Sequence, residues 1–162
     1  MRIYTGAGDG GETSTLSGQK VSKNDAVIHF EGTADELNSH LGLIKAMLPG
    51  NTREFIEGIQ KNLMKIMAHV SDQANERYFL GEDVVNGLET EIDRLSANLP
   101  PLSEMVVPGK NAAEAHIHIA RAVARRTERL LVAVNAEHPL CRNVGVYLNR
   151  LSDYLFVLAR ME

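Results

Sequence analysis

The chain has 162 residues, about one domain, which is long enough to bury a core without disulfide or metal staples. A formal net charge of -4 and a pI near 5.9 argue against a dedicated nucleic-acid binder, and no apolar run approaches the roughly 18 residues needed to span a bilayer. The single cysteine, Cys141, cannot form an internal disulfide and nothing resembles a signal peptide, so the expectation is a cytoplasmic protein with no nucleic-acid or membrane partner.

Absent Trp, few aromatics and abundant Ala, Leu, Glu and Arg favour helices over sheets. Residues Met1 to Lys23 carry no helical period and read as a loop. Within it, Gly6-Ala7-Gly8-Asp9-Gly10-Gly11-Glu12-Thr13-Ser14 has the makings of a phosphate cradle, because closely spaced glycines let backbone N–H groups converge on an anion. A flexible terminal tail has the same composition. The spacing is neither the Walker pattern nor the strand-to-helix glycine fingerprint of a dinucleotide fold.

From about Asp25 the sequence becomes periodic. Thr33-Ala34-Asp35-Glu36 has capping-box spacing, and Leu37, Leu41, Ile44 and Leu48 follow at helical intervals up to Pro49-Gly50. The start of this helix stays open, since Val27, Ile28 and Phe30 could extend it backwards. Asp35 reads either as a first-turn acid or as an anchor for an arginine elsewhere. Asn51 or Thr52 can cap a second helix, whose stripe runs through Phe55, Ile59, Leu63, Ile66, Met67 and Val70 to about Phe79, with Met64 and Met67 as core filling. A third helix uses Val84, Val85, Leu88, Ile92 and Leu95 and ends before Pro100-Pro101. The segment from Leu102 to Asn111 reads as a crossing loop.

A fourth helix, from about Ala112 to Glu137, contains Arg121-Ala122-Val123-Ala124-Arg125-Arg126-Thr127-Glu128-Arg129. Arg121, Arg125 and Glu128 fall at i, i+4 and i+7 and so share a face. Such a stripe is either a solvated surface or a polyphosphate clamp, guanidinium forks being matched to phosphate oxygens. A fifth helix after Pro139 uses Val144, Tyr147, Leu148, Leu151, Leu155 and Leu158, with Asn149, Arg150 and Asp153 along its polar side. Five amphipathic helices predict an all-α antiparallel bundle, residues 1–162 forming one domain: a nucleotide-binding loop over 1–24 and a helical bundle over 25–162. The di-iron Glu-x-x-His signature is missing, His116 and His118 point to different helix faces, and Cys141 lacks partners at zinc-ligand spacing.

The glycine loop from Thr5 to Ser14, the helix Gly32-Thr33-Ala34-Asp35-Glu36-Leu37-Asn38-Ser39, the stretch Arg121 to Arg129 and Asn149-Arg150-Leu151-Ser152-Asp153-Tyr154-Leu155-Phe156 together resemble the PduO-type ATP:corrinoid adenosyltransferases, over nearly the whole chain. The resemblance implies a five-helix bundle assembled as a homotrimer, with ATP at subunit boundaries and a corrinoid beside it. It implies transfer of the 5'-deoxyadenosyl group from ATP to the cobalt of reduced cobalamin, cob(I)alamin, with release of triphosphate. By position, Thr5, Gly6, Ala7, Gly8, Thr13, Ser14 and Lys23 resemble the ATP-wrapping loop and its lysine, and Arg125, Arg126, Glu128 and Asn149 the nucleotide set of the last two helices, with Arg125 as phosphate contact. Asp35 and Arg121 resemble an acid–arginine pair across the subunit interface. Mg2+ is expected to arrive with ATP, with Glu128 as the candidate protein contact. A corrinoid reductase and an adenosylcobalamin-dependent enzyme are the further partners implied.

The chain departs from the family pattern at Gly6 and Ala7, where a basic residue and Thr are usual, and at Gly109-Lys110, where Gly-Gly is usual. It departs again at Met105, where a Phe commonly lies under the corrin and displaces the lower axial ligand. The alternative reading is a non-catalytic ATP- or corrinoid-binding bundle serving as a sensor or in cofactor delivery.

Overall fold

The computed structural model describes Tyr4, residues 6–137, Leu140 and residues 142–162. Five long helices carry the fold: α1 over Ala26–Met47, α2 over Gly50–Ser71, α3 over Glu82–Ser96, α4 over Ala112–Glu137 and α5 over Arg142–Met161. The glycine-rich segment is not wholly loop. Strands β1 (Glu12–Ser14) and β2 (Lys20–Ser22) pair antiparallel with Thr13 opposite Val21. Three residues per strand are too short for their alternation to show against the surrounding Gly and Ser, and only the cross-strand pairing reveals them.

Side-chain contacts fix the helix directions. Gln60 Nε2 donates to the Asn38 carbonyl at 3.0 Å and Lys45 lies 3.7 Å from Glu57, so α1 and α2 run antiparallel. Asn62 meets Tyr147, and Phe55 meets Tyr154 with ring centroids 5.2 Å apart, making α2 and α5 antiparallel. Glu89 bonds Arg150, and the Pro100 carbonyl accepts from Arg160, so α3 runs with α5. Glu128 meets Asn149 while His118 meets Phe156, turning α4 against α5. The result is an up-down-up-down-up bundle in which α1 packs against both α2 and α4, and α5 against both α3 and α4. The hairpin sits at the end where α1 begins and α2 stops, through Leu16 N–H to Ser71 Oγ at 2.8 Å and Ser17 N–H to the Ser71 carbonyl at 3.3 Å. The loop between α3 and α4 leaves the opposite end.

Several boundaries differ from the sequence expectation for local reasons. Of the two starts left open for α1 the helix takes the earlier one: Asp25, not Thr33, is the cap, its Oδ1 accepting from Val27 N–H at 2.9 Å. Thr33 lies mid-helix with its hydroxyl donating to the His29 carbonyl, and Glu36 is engaged by Arg126, so the apparent capping box is a coincidence of spacing. The α2 N-terminus follows Pro49 with no side-chain cap from Asn51 or Thr52, and Gly50, at φ 66, makes the reversal from α1. This helix ends at Ser71, not near Phe79. Asn75 caps a 3-10 turn at Glu76–Tyr78 that carries the chain on to α3. Met64 is exposed and fills no core, whereas Met67 packs against it. Pro139 and Cys141 lie outside the described residues.

The core is continuous across all five helices, with Phe30, Leu37, Leu41 and Ile44 of α1, Ile56, Leu63 and Ile66 of α2, Leu88 of α3, Ile117 and Ala124 of α4, and Tyr147, Leu148, Leu151 and Tyr154 of α5 all buried. Each fully buried large aliphatic contributes about 1.5–3 kcal/mol, which far exceeds what any single surface ion pair here can add. Tyr147 satisfies its hydroxyl through Asn62 Nδ2 at 3.2 Å, and burial pushes its pKa up to about 12.

His69 near the end of α2 is buried with its ring edge-on to Phe79, centroids 4.9 Å apart, and neither nitrogen bonds a described residue. Burial holds its imidazole below the usual value. As pH falls below about 6.5 the unfolded chain takes up a proton that the folded chain refuses, so stability is full above that value and declines through the window beneath it. Thermal unfolding from about pH 7.5 to 5.5 should therefore cost the native chain more than His69→Phe, with a differential slope no steeper than about 1.4 kcal/mol per pH unit. Parallel curves for the two proteins would contradict this.

Candidate functional site

The loop that opens the chain folds over on itself. Asp9 N–H donates to the Gly6 carbonyl, Gly11 N–H to the Gly8 carbonyl, and Lys23 N–H to the Gly11 carbonyl at 2.9 Å. These bonds draw Ala7, Gly8, Thr13 and Ser14 around one hollow of about 370 Å³, completed by Glu12 and Lys20. The Lys23 ammonium lies over Gly8 so closely that a Cβ there would sit 3.2 Å from Nζ. A side chain at that position would push the cation away. Thr5 lies outside the described residues.

The arginine stretch divides according to the surfaces α4 meets. Val123, Ala124 and Thr127 are buried, Thr127 returning its hydroxyl proton to the Val123 carbonyl at 3.0 Å. Arg126 reaches across to Glu36 of α1 in a half-exposed ion pair. Arg129 turns back to the Arg125 carbonyl at 3.1 Å. Arg125 itself is exposed, and its guanidinium bonds no described residue. Next to it in register, Glu128 Oε1 accepts from Asn149 Nδ2 at 2.9 Å. Asn149 Oδ1 in turn accepts from Arg150 at 2.8 Å, and Arg150 Nε donates to Glu89 of α3 at 2.8 Å. That chain of bonds sets which way the Asn149 amide faces and leaves the second Glu128 oxygen open.

Asp35 and Arg121 do not meet within one chain. Asp35 borders a mostly apolar hollow of about 380 Å³ between α1 and α2, with Leu16, Glu31, Gly32, Met67, Ala68 and Ser71. Burial pushes the Glu31 carboxyl up there, against the opposing pull of Ser71. Arg121 lies on α4, its Nε donating to His118 Nδ1 at 3.2 Å. Met105 is 94% exposed on the loop between α3 and α4, in company with exposed Leu102 and Val107. No group of three or more acidic, His or Cys side chains could hold a metal among the described residues. No helix among them is long and apolar enough to cross a membrane.

The bundle thus presents a glycine hairpin at one end, one exposed arginine without a described partner on the fourth helix, and an exposed apolar loop at the other end. The Cobalamin adenosyltransferase family profile matches residues 3–162. The chain belongs to the cobalamin adenosyltransferase family. It is 40% identical to a corrinoid adenosyltransferase of Citrobacter freundii, over 99% of this chain and 94% of that one. It is 39% identical to the corrinoid adenosyltransferase PduO of Salmonella typhimurium, of which it spans half the length. Among solved structures, a variant PduO-type ATP:corrinoid adenosyltransferase from Lactobacillus reuteri complexed with cobalamin and ATP superposes with a TM-score of 0.90 at 32% identity, covering 98% of this chain and 92% of that one.

For a chain of the adenosyltransferase family, the structure gathers the candidate residues into three separate places. Ala7, Gly8, Thr13 and Ser14 share the hairpin hollow, with the Lys23 ammonium beside Gly8. Arg125, Glu128 and Asn149 share the outer face of α4 and α5. Met105 stands apart on the far loop. Helix α1, into which the hairpin runs, packs against both α2, whose C-terminal Ser71 takes the hairpin turn, and the arginine helix α4.

Near the start of α4, sequence reasoning passed over Glu114 and weighed His118 only as a metal ligand. Glu114 and His118 are both buried, and the carboxylate accepts from the Gly109 and Lys110 N–H groups. The signal was available as Asn111-Ala112-Ala113-Glu114, a capping-box spacing in front of an apolar run, with Asn111 Oδ1 accepting from Glu114 N–H at 2.9 Å.

With both partners nearly half exposed, the Arg126–Glu36 pair is the kind that contributes at most about 1 kcal/mol. Glu36→Gln should therefore shift the urea midpoint only slightly, and the shift should shrink further in high salt. A large, salt-insensitive loss would show that Arg126 is a structural residue with no freedom to leave Glu36.

Proposed function

We infer that this chain is an ATP:corrinoid adenosyltransferase, transferring the 5'-deoxyadenosyl group of ATP to the cobalt of cob(I)alamin with release of triphosphate. Family membership over residues 3–162 supports the activity, and the observation that carries the local reading is the exposed, unpartnered Arg125 guanidinium beside the Glu128–Asn149 couple. The reduced cobalt of the substrate is itself the nucleophile and C5' of the ribose the electrophile, so the protein needs no covalent nucleophile. Its residues position the two substrates in line and stabilise charge on the leaving triphosphate.

In this reading residues 1–24 form the nucleotide-binding loop and residues 25–162 the bundle of a single domain. Thr5, Gly6, Ala7, Gly8, Thr13 and Ser14 wrap the nucleotide and Lys23 supplies charge beside Gly8. Arg125 takes a phosphate through paired N–H donors, Arg126 joins it by leaving Glu36, and Asn149 presents its amide to the nucleotide. Glu128 has one carboxylate oxygen free for Mg2+. With no acidic cluster among the described residues, the ion would be held mainly by phosphate oxygens, as is usual for Mg2+. That Asp35 and Arg121 do not pair within one chain favours a site closed between copies of the chain in a homotrimer, Asp35 of one copy pairing with Arg121 of the next. Met105 would border the lower face of the corrin. A cytoplasmic location, a corrinoid reductase that supplies the reduced substrate and an adenosylcobalamin-dependent acceptor belong to the same reading.

Incubation with ATP, Mg2+ and chemically reduced cobalamin should yield adenosylcobalamin and triphosphate in equal amounts, followed by absorbance. ATP binding without product would instead favour the non-catalytic sensor or delivery protein. Arg125→Ala should lower kcat/KM for ATP on the order of a hundredfold, equivalent to about 2.7 kcal/mol of lost stabilisation, with the fold unchanged by circular dichroism. Met105→Phe should alter the KM for cobalamin and the absorbance spectrum of bound cob(II)alamin while leaving the KM for ATP in place. Identical spectra and kinetics would remove Met105 from the corrinoid site.

A further inference from the structure

We propose that Glu114 and His118 are positioning residues for the corrinoid substrate, with the Glu114 carboxylate fastening the backbone of Gly109 and Lys110 and so fixing the loop that carries Met105. The proposal rests on the adenosyltransferase reading for the identity of the ligand, though not for the anchor itself.

The anchor is built from buried groups. Glu114 is 3% exposed and His118 5%, inside a helix whose neighbours could have been apolar. A carboxylate so placed is costly unless its oxygens are occupied. Oε2 accepts from Gly109 N–H at 2.7 Å and Lys110 N–H at 3.2 Å, and Oε1 lies 3.1 Å from His118 Nε2, though poorly aligned for a hydrogen bond. The Gly109 N–H is the largest influence holding the Glu114 carboxyl below its usual range, outweighing the opposing effect of burial. On its other side the His118 ring accepts at Nδ1 from Arg121 Nε–H, which selects the tautomer with the proton on Nε2, facing Glu114. The ring edge also packs against Phe156 of α5.

An ordinary capping box would send the Glu114 carboxylate back to the N–H of Asn111, the residue that caps it. Here it bypasses Asn111 and grips the two residues before it. Gly109, with φ 119, turns the chain so that its own N–H and the next point at one oxygen. Lys110 Nζ and Asn111 Nδ2 meanwhile bond the Glu162 carbonyl, so the C-terminal side of the loop is held at two points. Between Pro100, whose carbonyl accepts from Arg160, and Pro108 the segment has no comparable hold among the described residues: Met105 and Val107 are exposed, and their placement depends on where Gly109 is fixed. The path from the arginine face to the loop therefore runs Arg121, His118, Glu114, Gly109-Lys110, through buried contacts only at its two middle members.

The substitution Glu114→Ala frees both N–H groups, and amide hydrogen exchange at Gly109 and Lys110 should accelerate on the order of ten- to a hundredfold, the range for hydrogen bonds to a charged group. The KM for cobalamin should rise about tenfold while that for ATP stays within about twofold, a split that mere loss of stability would not produce. Glu114→Gln, whose single oxygen can still take the loop N–H groups, should restore most of the exchange protection and the cobalamin KM, and it guards against an Ala variant that fails to fold. His118→Phe keeps the ring contact with Phe156 and should fall between the two. Unchanged exchange in a folded Glu114→Ala protein, or parallel increases in both KM values, would overturn the proposal. If the wild type makes no adenosylcobalamin, the proposed function fails separately. Titration of the ATP-loaded protein with cob(II)alamin then replaces KM, and equal affinity in wild type and Glu114→Ala would again overturn the anchor.

Discussion

The rotation of α4 about its own axis is the constraint on which the rest depends. Ile117, Ala120, Ala124, Thr127, Leu131 and Val134 recur at helical spacing and are all buried, so this stripe must face α1 and α5. Two of its members are alanines with no exposed surface, which lets the neighbouring backbones come close. Ala34 of α1 is equally buried. Once that stripe is seated, each residue following a core alanine is turned outward by about 100° of helix. Arg121 follows Ala120 and Arg125 follows Ala124, so core packing, not any attraction between the arginines and their surroundings, aims the cationic face.

Polar contacts then sort residues that are chemically alike. Four arginines stand within nine positions, yet one is tied to His118, one to Glu36 and one to a backbone carbonyl, leaving only Arg125 without a described partner. The same sorting acts on α5, where Arg150 is held by Glu89 and thereby orients Asn149 toward Glu128. A helix surface of this composition in isolation would be a screened cloud of charge. In the bundle three of the four guanidinium groups are held by internal partners and the fourth is left exposed without one among the described residues.

Most of the bundle was legible beforehand because amphipathic period survives any packing arrangement. The spans of α3, α4 and α5 agree with the spacing of Val85, Leu88, Leu95, Leu131, Val134, Leu148 and Leu155. The open choices and the errors fall where a local pattern had two solutions. Thr33 and Glu36 matched a capping box, but Val27 and Phe30 bury into the same core as Leu37, and that burial outweighs a cap by drawing the helix back to Asp25. Met64 was assigned to the core by residue type, although its position on α2 faces solvent. The β-hairpin was hidden because three-residue strands have no period to read, and it depends on contact with Ser71, far along the chain.

Sequence alone determined the five-helix class, the single cationic stretch, the glycine loop and the family, because these are properties of period, composition and ordered motifs. Tertiary structure alone decided that Thr13 and Ser14 face one hollow with Gly8, that Arg125 among four arginines is the free one, and that Asp35 and Arg121 do not meet within a chain. It also decided that Glu114 and His118 are buried. A carboxylate or imidazole carries no mark in the sequence of whether its partners will be water or two backbone N–H groups. That choice is made only when the loop closes over the helix and removes the water.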